Sequence, residues 1–399
     1  MSTGRQPMRL FAVETHPIQY KAPLFRRLAE HPDLDVTVFY AMLPDARQQG
    51  AGFGVSFAWD VPLLEGYRHE VLDNRARHPS VTTFSGCDTP GLYARLRRER
   101  PDAVLVNGWG SKTCVQALWA CRRLGIPCLV RGEANHLRPR AAWKHLLHRM
   151  LLRQYSGYLA IGSASRDFYR AHGCPEDRLF MAPYAVDNGH YAAQAKLRAE
   201  RRPALRESFG VPPGAMVFLF AGKVEEKKHP ADLLEAVARL PADLRPRAHV
   251  LVAGDGPLRT DCEKLARAKR LSVSFAGFLN QSRLPDAYAA ADVLVLPSDA
   301  GETWGLVVNE AMASGRPTVV SRAAGCCADL VVEGETGHSF ACRDVVALSR
   351  ILATYLADPG LAARQGQAAS RHIQAVGLDA AVAGIVAAVR ACADGGRPC

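Results

Sequence analysis

The stretch DAGETWGLVVNEAMASGRP, residues 299–317, decides how the rest of this chain is read. Just ahead of it, DVLVLPS (292–298) is short, apolar, β-branched and closed by Pro297 and Ser298, the pattern of a buried parallel strand. Residues 305–314 carry a helical pattern that stops at Gly315, before Arg316 and Pro317. A strand that empties into a loop and then a helix is where open α/β sheets take their ligands. The leading N–H groups of that helix, on Gly305, Leu306 and Val307, have no partner within it. With the helix dipole they favour an anion such as phosphate. Glu302 falls in the loop at the mouth of this site, and Glu310 lies five residues into the helix, roughly 7–8 Å along it. Carboxylates cannot grip a phosphate, but they accept hydrogen bonds from sugar hydroxyls. A phosphate with a hydroxylated sugar on each side satisfies all three features, and that describes a sugar nucleotide.

Working outward, MVFLFAGKVEEKKHP (216–230) is a strand ending at Gly222, followed by Lys223 and Lys228. HVLVAGDGP (249–257) is a strand running into a tight glycine turn. VSFAGFLNQSRLPDAYAAA (273–291) adds a strand and a loop at Phe278 and Leu279. The blocks FAGKVEEKKHPADLLEA, VAGDGP, FAGFLNQSRLPDAYAAADVLVLPS and EGETGHSF, with Glu302 and Glu310 as an E-x7-E pair, resemble the retaining GT-B glycosyltransferases of family 4. The resemblance covers most of the second half. It implies an α/β fold of two doubly wound, Rossmann-like parallel-sheet domains facing across a cleft. Residues 1–190 would bind the acceptor, 205–376 the nucleotide sugar, and 377–399 would form a helix returning to the first domain.

The same resemblance assigns roles. Lys223 and Lys228 would contact the donor pyrophosphate, with lysine at the first position where arginine is commoner. Glu302 would hold sugar hydroxyls, Glu310 the ribose, and the backbone at Phe278 and Leu279 the base. The co-substrate is expected to be a UDP- or GDP-linked sugar, without any further cofactor. Two cations and a helix N-terminus can neutralise a leaving diphosphate without a metal ion. A formal D-x-D at Asp33 and Asp35 enters a strand at the end opposite the expected ligand, and reads as turn polarity rather than a metal site. The phosphate loop pattern G-x4-G-K-S/T is absent.

Strand and helix also alternate through the first half, which implies a parallel sheet with helices on both faces. Residues 41–77 are the exception, loose and rich in Gly, Asp and aromatics around one short strand. The turn THPIQYKAP (15–23) has His16 and Lys21 where relatives often carry glycines. These would lie near the reacting sugar, or belong to a proline-shaped turn capped by His16. RGEANH (131–136) has Glu133 where many relatives have histidine, with His136 three residues on. Glu133 could orient the sugar or acceptor or assist loss of the acceptor proton; the alternative is an ion pair with Arg131. Trp109 in WGSK could stack on an acceptor or fill the core. WKHLLHRMLLRQY (143–155) places Trp143, Leu146, Leu147, Met150 and Leu151 on one face among basic residues. Such a helix either lies on an anionic membrane or, more commonly, packs its apolar face on the sheet. Residues 183–210 lack a strand pattern and read as the domain boundary, with Asp187 shaping a turn.

At 399 residues the chain suffices for two domains with full cores. Its formal charge of +11 comes with neither a basic–aromatic stacking motif nor a recognition module, so no nucleic-acid partner is expected. The charge gathers in 94–101 and 137–155, which suits an anionic membrane surface or ligand, or a solvated surface. Eleven scattered cysteines without C-x-x-C spacing suggest a reducing compartment. The N-terminal stretch has no signal-peptide pattern. Together these point to a cytoplasmic enzyme, peripheral at most on the membrane's inner face. The expected acceptor is an envelope polysaccharide, a glycolipid or a secondary metabolite. Two rivals are a sugar-nucleotide hydrolase or epimerase on the same architecture, and a non-catalytic protein that binds membranes or polyanions.

Overall fold

The structure, a computed structural model, describes residues 6–50 and 54–394. The last five residues of the expected 377–399 helix lie outside the described range. The chain divides into two compact units. Unit 1 holds the residues up to Gln48, then Pro62–Tyr184, then the chain from Leu378 on; unit 2 holds Gln49–Val61 and Ala185–Gly377.

In unit 1 the elements run β1 (Met8–Glu14), α1 (Ala22–Ala29), β2 (Leu34–Tyr40), α2 (Ala46–Gln49, shared with the boundary), β3 (Arg68–Val71), α3 (Leu92–Glu99) and β4 (Ala103–Val106). They continue with α4 (Lys112–Leu124), β5 (Cys128–Gly132), α5 (Ala142–Leu152), β6 (Gly157–Ala160), α6 (Ser163–Ala171) and β7 (Leu179–Met181). All seven strands are parallel in the order β3-β2-β1-β4-β5-β6-β7. The chain builds outward from β1 in one direction and then restarts at β4 in the other. That reversal opens a crevice beyond the carboxyl ends of β1 and β4. Every residue of β4 is buried, as a strand covered on both faces requires.

Unit 2 begins with α7 (Asn188–Arg198) and α8 (Arg202–Ser208). Next come β8 (Met216–Ala221), α9 (Pro230–Ala238), β9 (Ala248–Ala253), α10 (Arg259–Ala268), β10 (Val273–Gly277), α11 (Leu284–Ala290) and β11 (Val293–Leu296). The unit closes with α12 (Leu306–Ala313), β12 (Thr318–Ser321), α13 (Cys327–Leu330), β13 (Gly337–Phe340), α14 (Val345–Ala357) and α15 (Leu361–His372). Its six parallel strands run β10-β9-β8-β11-β12-β13, so the reversal falls between β8 and β11.

Two details differ from the sequence reading, and a third concerns the C-terminal stretch. Residues 185–190, placed with the first domain, and the linker after them belong to unit 2. There Asp187 caps α7 by accepting from the His190 amide (2.9 Å), and Arg198 pairs with Asp286 at 2.6 Å. Arg202 and Arg206 both bind Asp292 (2.5 and 2.7 Å), which also accepts from the Val217 amide at the head of β8. The loose region also contributes to unit 2: Phe57 stacks on Phe278 with ring centroids 4.1 Å apart, and Asn280 donates to the Ala58 carbonyl at 2.7 Å. Finally, the C-terminal stretch Leu361–Ala393 is long and apolar enough by composition to cross a bilayer. It is interrupted at 373–377, and α16 (Leu378–Asp394) buries Ala381, Ile385, Ala388 and Val389 in unit 1. Gly384 lets α16 approach β7 closely, because a Cβ there would stand 1.8 Å from the Met181 carbonyl oxygen.

Candidate active site

Each unit gathers its polar side chains at the carboxyl ends of the strands flanking the reversal. In unit 2 these are the loop after β8 and the loop between β11 and α12. Lys228 and Glu302, one from each loop, form an ion pair whose side chains are both only 12% exposed. The loops are tied by their backbones as well, since the Asp299 amide donates to the Lys227 carbonyl at 2.9 Å. Behind them the GDGP turn packs without room for side chains. A Cβ on Gly254 would lie 1.8 Å from the Gly222 oxygen, and the Val224 amide donates to the Asp255 carbonyl at 2.9 Å. Lys223, half-buried, follows Gly222, and its burial pushes the ammonium pKa down while Glu225 pulls it back up.

Gly305 caps α12 with φ +111°, a left-handed conformation, and a Cβ there would stand 2.7 Å from Leu296. Glycine is therefore needed twice over, for the turn and for the approach to β11. The amides of Gly305, Leu306 and Val307 head this helix beside Glu302. One turn further, Glu310 is buried and accepts from the Tyr288 hydroxyl at 2.6 Å. Burial raises its carboxyl to about 7, against the opposing hydrogen bonds of Tyr288 and Tyr191 and the charge of Lys228. Tyr191 comes from α7, in the segment read as linker, and was not anticipated. Phe278 does not stand open, because Phe57 covers its ring, and Leu279 follows it at the same strand end.

In unit 1 the ends of β1, β4 and β5 enclose a cavity of about 440 Å³. Its lining includes Lys21, Trp109, Arg131, Glu133, Arg140 and His148. Among the four unit 1 residues singled out near sugar or acceptor, Lys21 and Trp109 reach the cavity, whereas His16 and His136 are outside its lining. Lys21 is a buried cation. It is 6% exposed and bonds Glu14 at 2.8 Å, and although burial works against its charge, Glu14 holds its pKa up. His16 bonds the Thr15 hydroxyl at 2.9 Å, and burial together with the Lys21 charge depresses it to about 4. His136 is exposed.

For Glu133 the alternative reading named Arg131 as partner, and the structure shows a direct bond to another group. Glu133 accepts from the Tyr184 hydroxyl at 2.6 Å, while buried Arg131 donates to the carbonyls of Ala182 (3.1 Å) and Pro183 (2.8 Å) and lies over the Tyr184 ring. Trp109 stacks parallel to Phe168 and edge-on to His148. It fits only because position 132 is glycine, since a Cβ there would meet the Trp109 ring and the Tyr169 hydroxyl at 2.9 Å. Glu14 and Asn107 were not singled out in the sequence, and Arg140 and His148 were read there only as part of the basic stretch 137–155. Asn107 donates to Glu14 across 93 positions, a contact no local pattern announces.

The helix at 143–155 overturns the commoner reading of its pattern. Most of its apolar stripe does not pack inward: Trp143, Leu146, Leu147 and Met150 are each more than half exposed, and Leu151 alone of the five packs against the core. The inward face is His148, Leu151 and Leu152, with His148 against Phe168, while exposed His145 bonds His172 at 3.1 Å. Asp33 and Asp35 sit at the amino end of β2 and pair with Arg390 and Arg68. Among the described residues, no group of three His, Cys, Asp or Glu side chains is placed to hold a metal ion.

Comparison with known proteins extends this picture. Residues 201–372 match the family described as glycosyl transferases group 1, and residues 19–185 match the glycosyl transferase 4-like domain. The chain is similar to the D-inositol 3-phosphate glycosyltransferase of Streptomyces avermitilis, 38% identical over 194 residues, 46% of this chain and 41% of that one. It is also similar to the sulfoquinovosyl transferase of Arabidopsis thaliana, 30% identical over 283 residues, 68% of this chain and 52% of the relative. The chain thus spans about half the length of the curated relatives it matches. Among solved structures, Anabaena HepE in complex with UDP and glucose superposes with a TM-score of 0.71 at 18% identity, covering 96% of this chain and all of that one. WaaG, a glycosyltransferase involved in lipopolysaccharide biosynthesis, gives 0.62 at 17% identity, covering 95% and 98%. The fold they share is GT-B.

Proposed function

Since this chain belongs to the group 1 glycosyltransferases, family 4, we propose that it transfers a sugar from a nucleoside diphosphate sugar to an acceptor hydroxyl, with retention and without a metal ion. The observation that carries this is the Lys228–Glu302 pair beside the Gly305-capped helix, at the reversal point of the unit 2 sheet. A diphosphate entering there competes with Glu302 for the Lys228 ammonium. The carboxylate it releases is then free to accept from the hydroxyls of the attached sugar. As the anomeric C–O bond breaks, negative charge grows on the β-phosphate. Lys228, Lys223 and the amides of residues 305–307 meet that charge where it develops. Glu310, one turn along α12, is set to hold the ribose. The departing phosphate takes the acceptor proton on the same face of the sugar, giving an α linkage from an α donor.

The unit 1 cavity would hold the acceptor, with Glu133 and Arg140 on hydroxyl or anionic groups and Trp109 on an apolar ring face. UDP- and GDP-sugars should be screened by thermal shift, and turnover then followed by proton NMR with a chelator present. Stabilisation by one nucleotide class, lost in Lys228→Ala, with an α-anomeric product, is the expected result. Release of free sugar at an equal rate without acceptor would favour the hydrolase instead. Loss of turnover with chelator would exclude the metal-free mechanism.

A further inference from the structure

Unit 1 carries an outer face whose composition no buried or catalytic role explains. Strands β4 to β7 advance in one direction across the sheet. Parallel crossovers are right-handed, so α4, α5 and α6 lie on one side. Their shared core agrees, joining Cys114, Leu118, Leu152 and Phe168 with Leu92 and Leu96 of α3. On the far side of that helix layer stand Trp143, Leu146, Leu147 and Met150 of α5 and Trp119 of α4, each more than half exposed. Phe84, more than half exposed, and Tyr93 accompany Trp119 around a groove of about 510 Å³ closed by Lys112 and Arg123. A helix anchored by Leu151 and Leu152 that still turns Trp143, Leu146, Leu147 and Met150 outward is built to bury these four against something else.

The charge says what that is. From Ala134 to Arg166 the chain has no Asp or Glu, while it has Arg138, Arg140, Lys144, Arg149, Arg153 and Arg166. The α4 sequence, with Lys112, Arg122 and Arg123, has none either. Lys112 is tied to Asp88 and Arg166 to Glu176, so the charge of this face rests on Lys144, Arg149 and Arg153 of α5 with Arg122 and Arg123 of α4. Apolar and aromatic side chains beside such cations complement an anionic lipid surface, where tryptophan and tyrosine favour the headgroup level. We infer that this helical face of unit 1 docks on an anionic bilayer, with α5 lying in the interface. On the acceptor reading given above, the inference also narrows the acceptor. His148 of the same helix and Arg140 just ahead of it line the unit 1 cavity, so a hydroxyl carried on a lipid would reach that cavity from the docked face.

Flotation of the full chain with phosphatidylcholine vesicles, alone or with 30% phosphatidylglycerol, tests this. Binding should require phosphatidylglycerol, weaken as salt rises, and fall at least twentyfold in Lys144→Glu/Arg153→Glu, about fivefold for each positive charge lost. Leu146→Glu/Leu147→Glu should abolish it while leaving thermal stabilisation by the nucleotide unchanged. Equal binding to both vesicle types, or wild-type binding by the leucine variant, would overturn the inference. So would a wild-type dimer in light scattering that dissociates in the leucine variant, since a second copy would then cover this face. A chain that turns over soluble acceptors yet ignores vesicles refutes the docking alone and leaves the proposed reaction standing.

Discussion

Replacing Glu310 by glutamine should remove a pH dependence of stability that the natural chain carries. The folded carboxyl titrates at about 7, raised from 4.5 by burial, while in the unfolded chain it returns to its ordinary value. Between those two values the folded state holds the proton and the unfolded state does not, so stability falls as pH rises. Integrating the linkage with a pKa of about 7 folded and 4.5 unfolded gives a loss of about 2.5 kcal/mol from pH 5 to pH 8, about 1.3 of it above pH 6. Glutamine keeps the shape and can still accept from Tyr288, but cannot titrate. Urea unfolding of both proteins at pH 5, 6, 7 and 8, followed by circular dichroism, isolates the effect. Taking the difference at each pH cancels the other groups they share. A flat difference would mean that Glu310 is not held protonated by burial. A difference rising with pH would mean that the Lys228 charge outweighs burial, and the reasoning about this pocket would fail.

Other substitutions test separate parts of the site. Lys228→Ala leaves Glu302 without its cation and a bound diphosphate without a charge-assisted bond, worth about 1.5–3 kcal/mol. Calorimetry should show affinity for the nucleoside diphosphate weakened on the order of ten- to a hundredfold, with the melting temperature little changed. Gly254→Ala drives a methyl into the Gly222 carbonyl and should destabilise the chain by more than about 3 kcal/mol or prevent its accumulation. A soluble Gly254→Ala protein with the natural melting temperature would contradict the packing. Asp292→Ala strands Arg202, Arg206 and the Val217 amide together, and should cost roughly 3–5 kcal/mol in urea unfolding.

The alternation of strands and helices was legible because each element is contiguous and its period is local. The loop and helix at 299–313 could be read for the same reason, as could the glycines that end β8 and β9. What stayed hidden depends on distance along the chain or on orientation. The contact of Phe57 with Phe278 joins a region without periodicity to a strand end 221 positions away, and nothing near Phe57 signals it. The pairing of Lys21 with Glu14 turned an apparent loop cation into a buried one, which residue type alone does not reveal. In α5 the spacing of Trp143, Leu146, Leu147 and Met150 correctly groups them on one face. Periodicity cannot say whether that face points in or out, and here His148, Leu151 and Leu152 took the inward side.

The assignment of α16 to unit 1 bears on how a nascent chain acquires its shape. Every strand of both sheets is translated before the helix from Leu378 onward, so β7 and α1 wait for a covering layer made after all of them. Unit 2 meanwhile can close on residues already translated. A stop codon at position 378 would therefore leave the later-made unit intact and the earlier-made one with an open apolar flank, ready for chaperone capture.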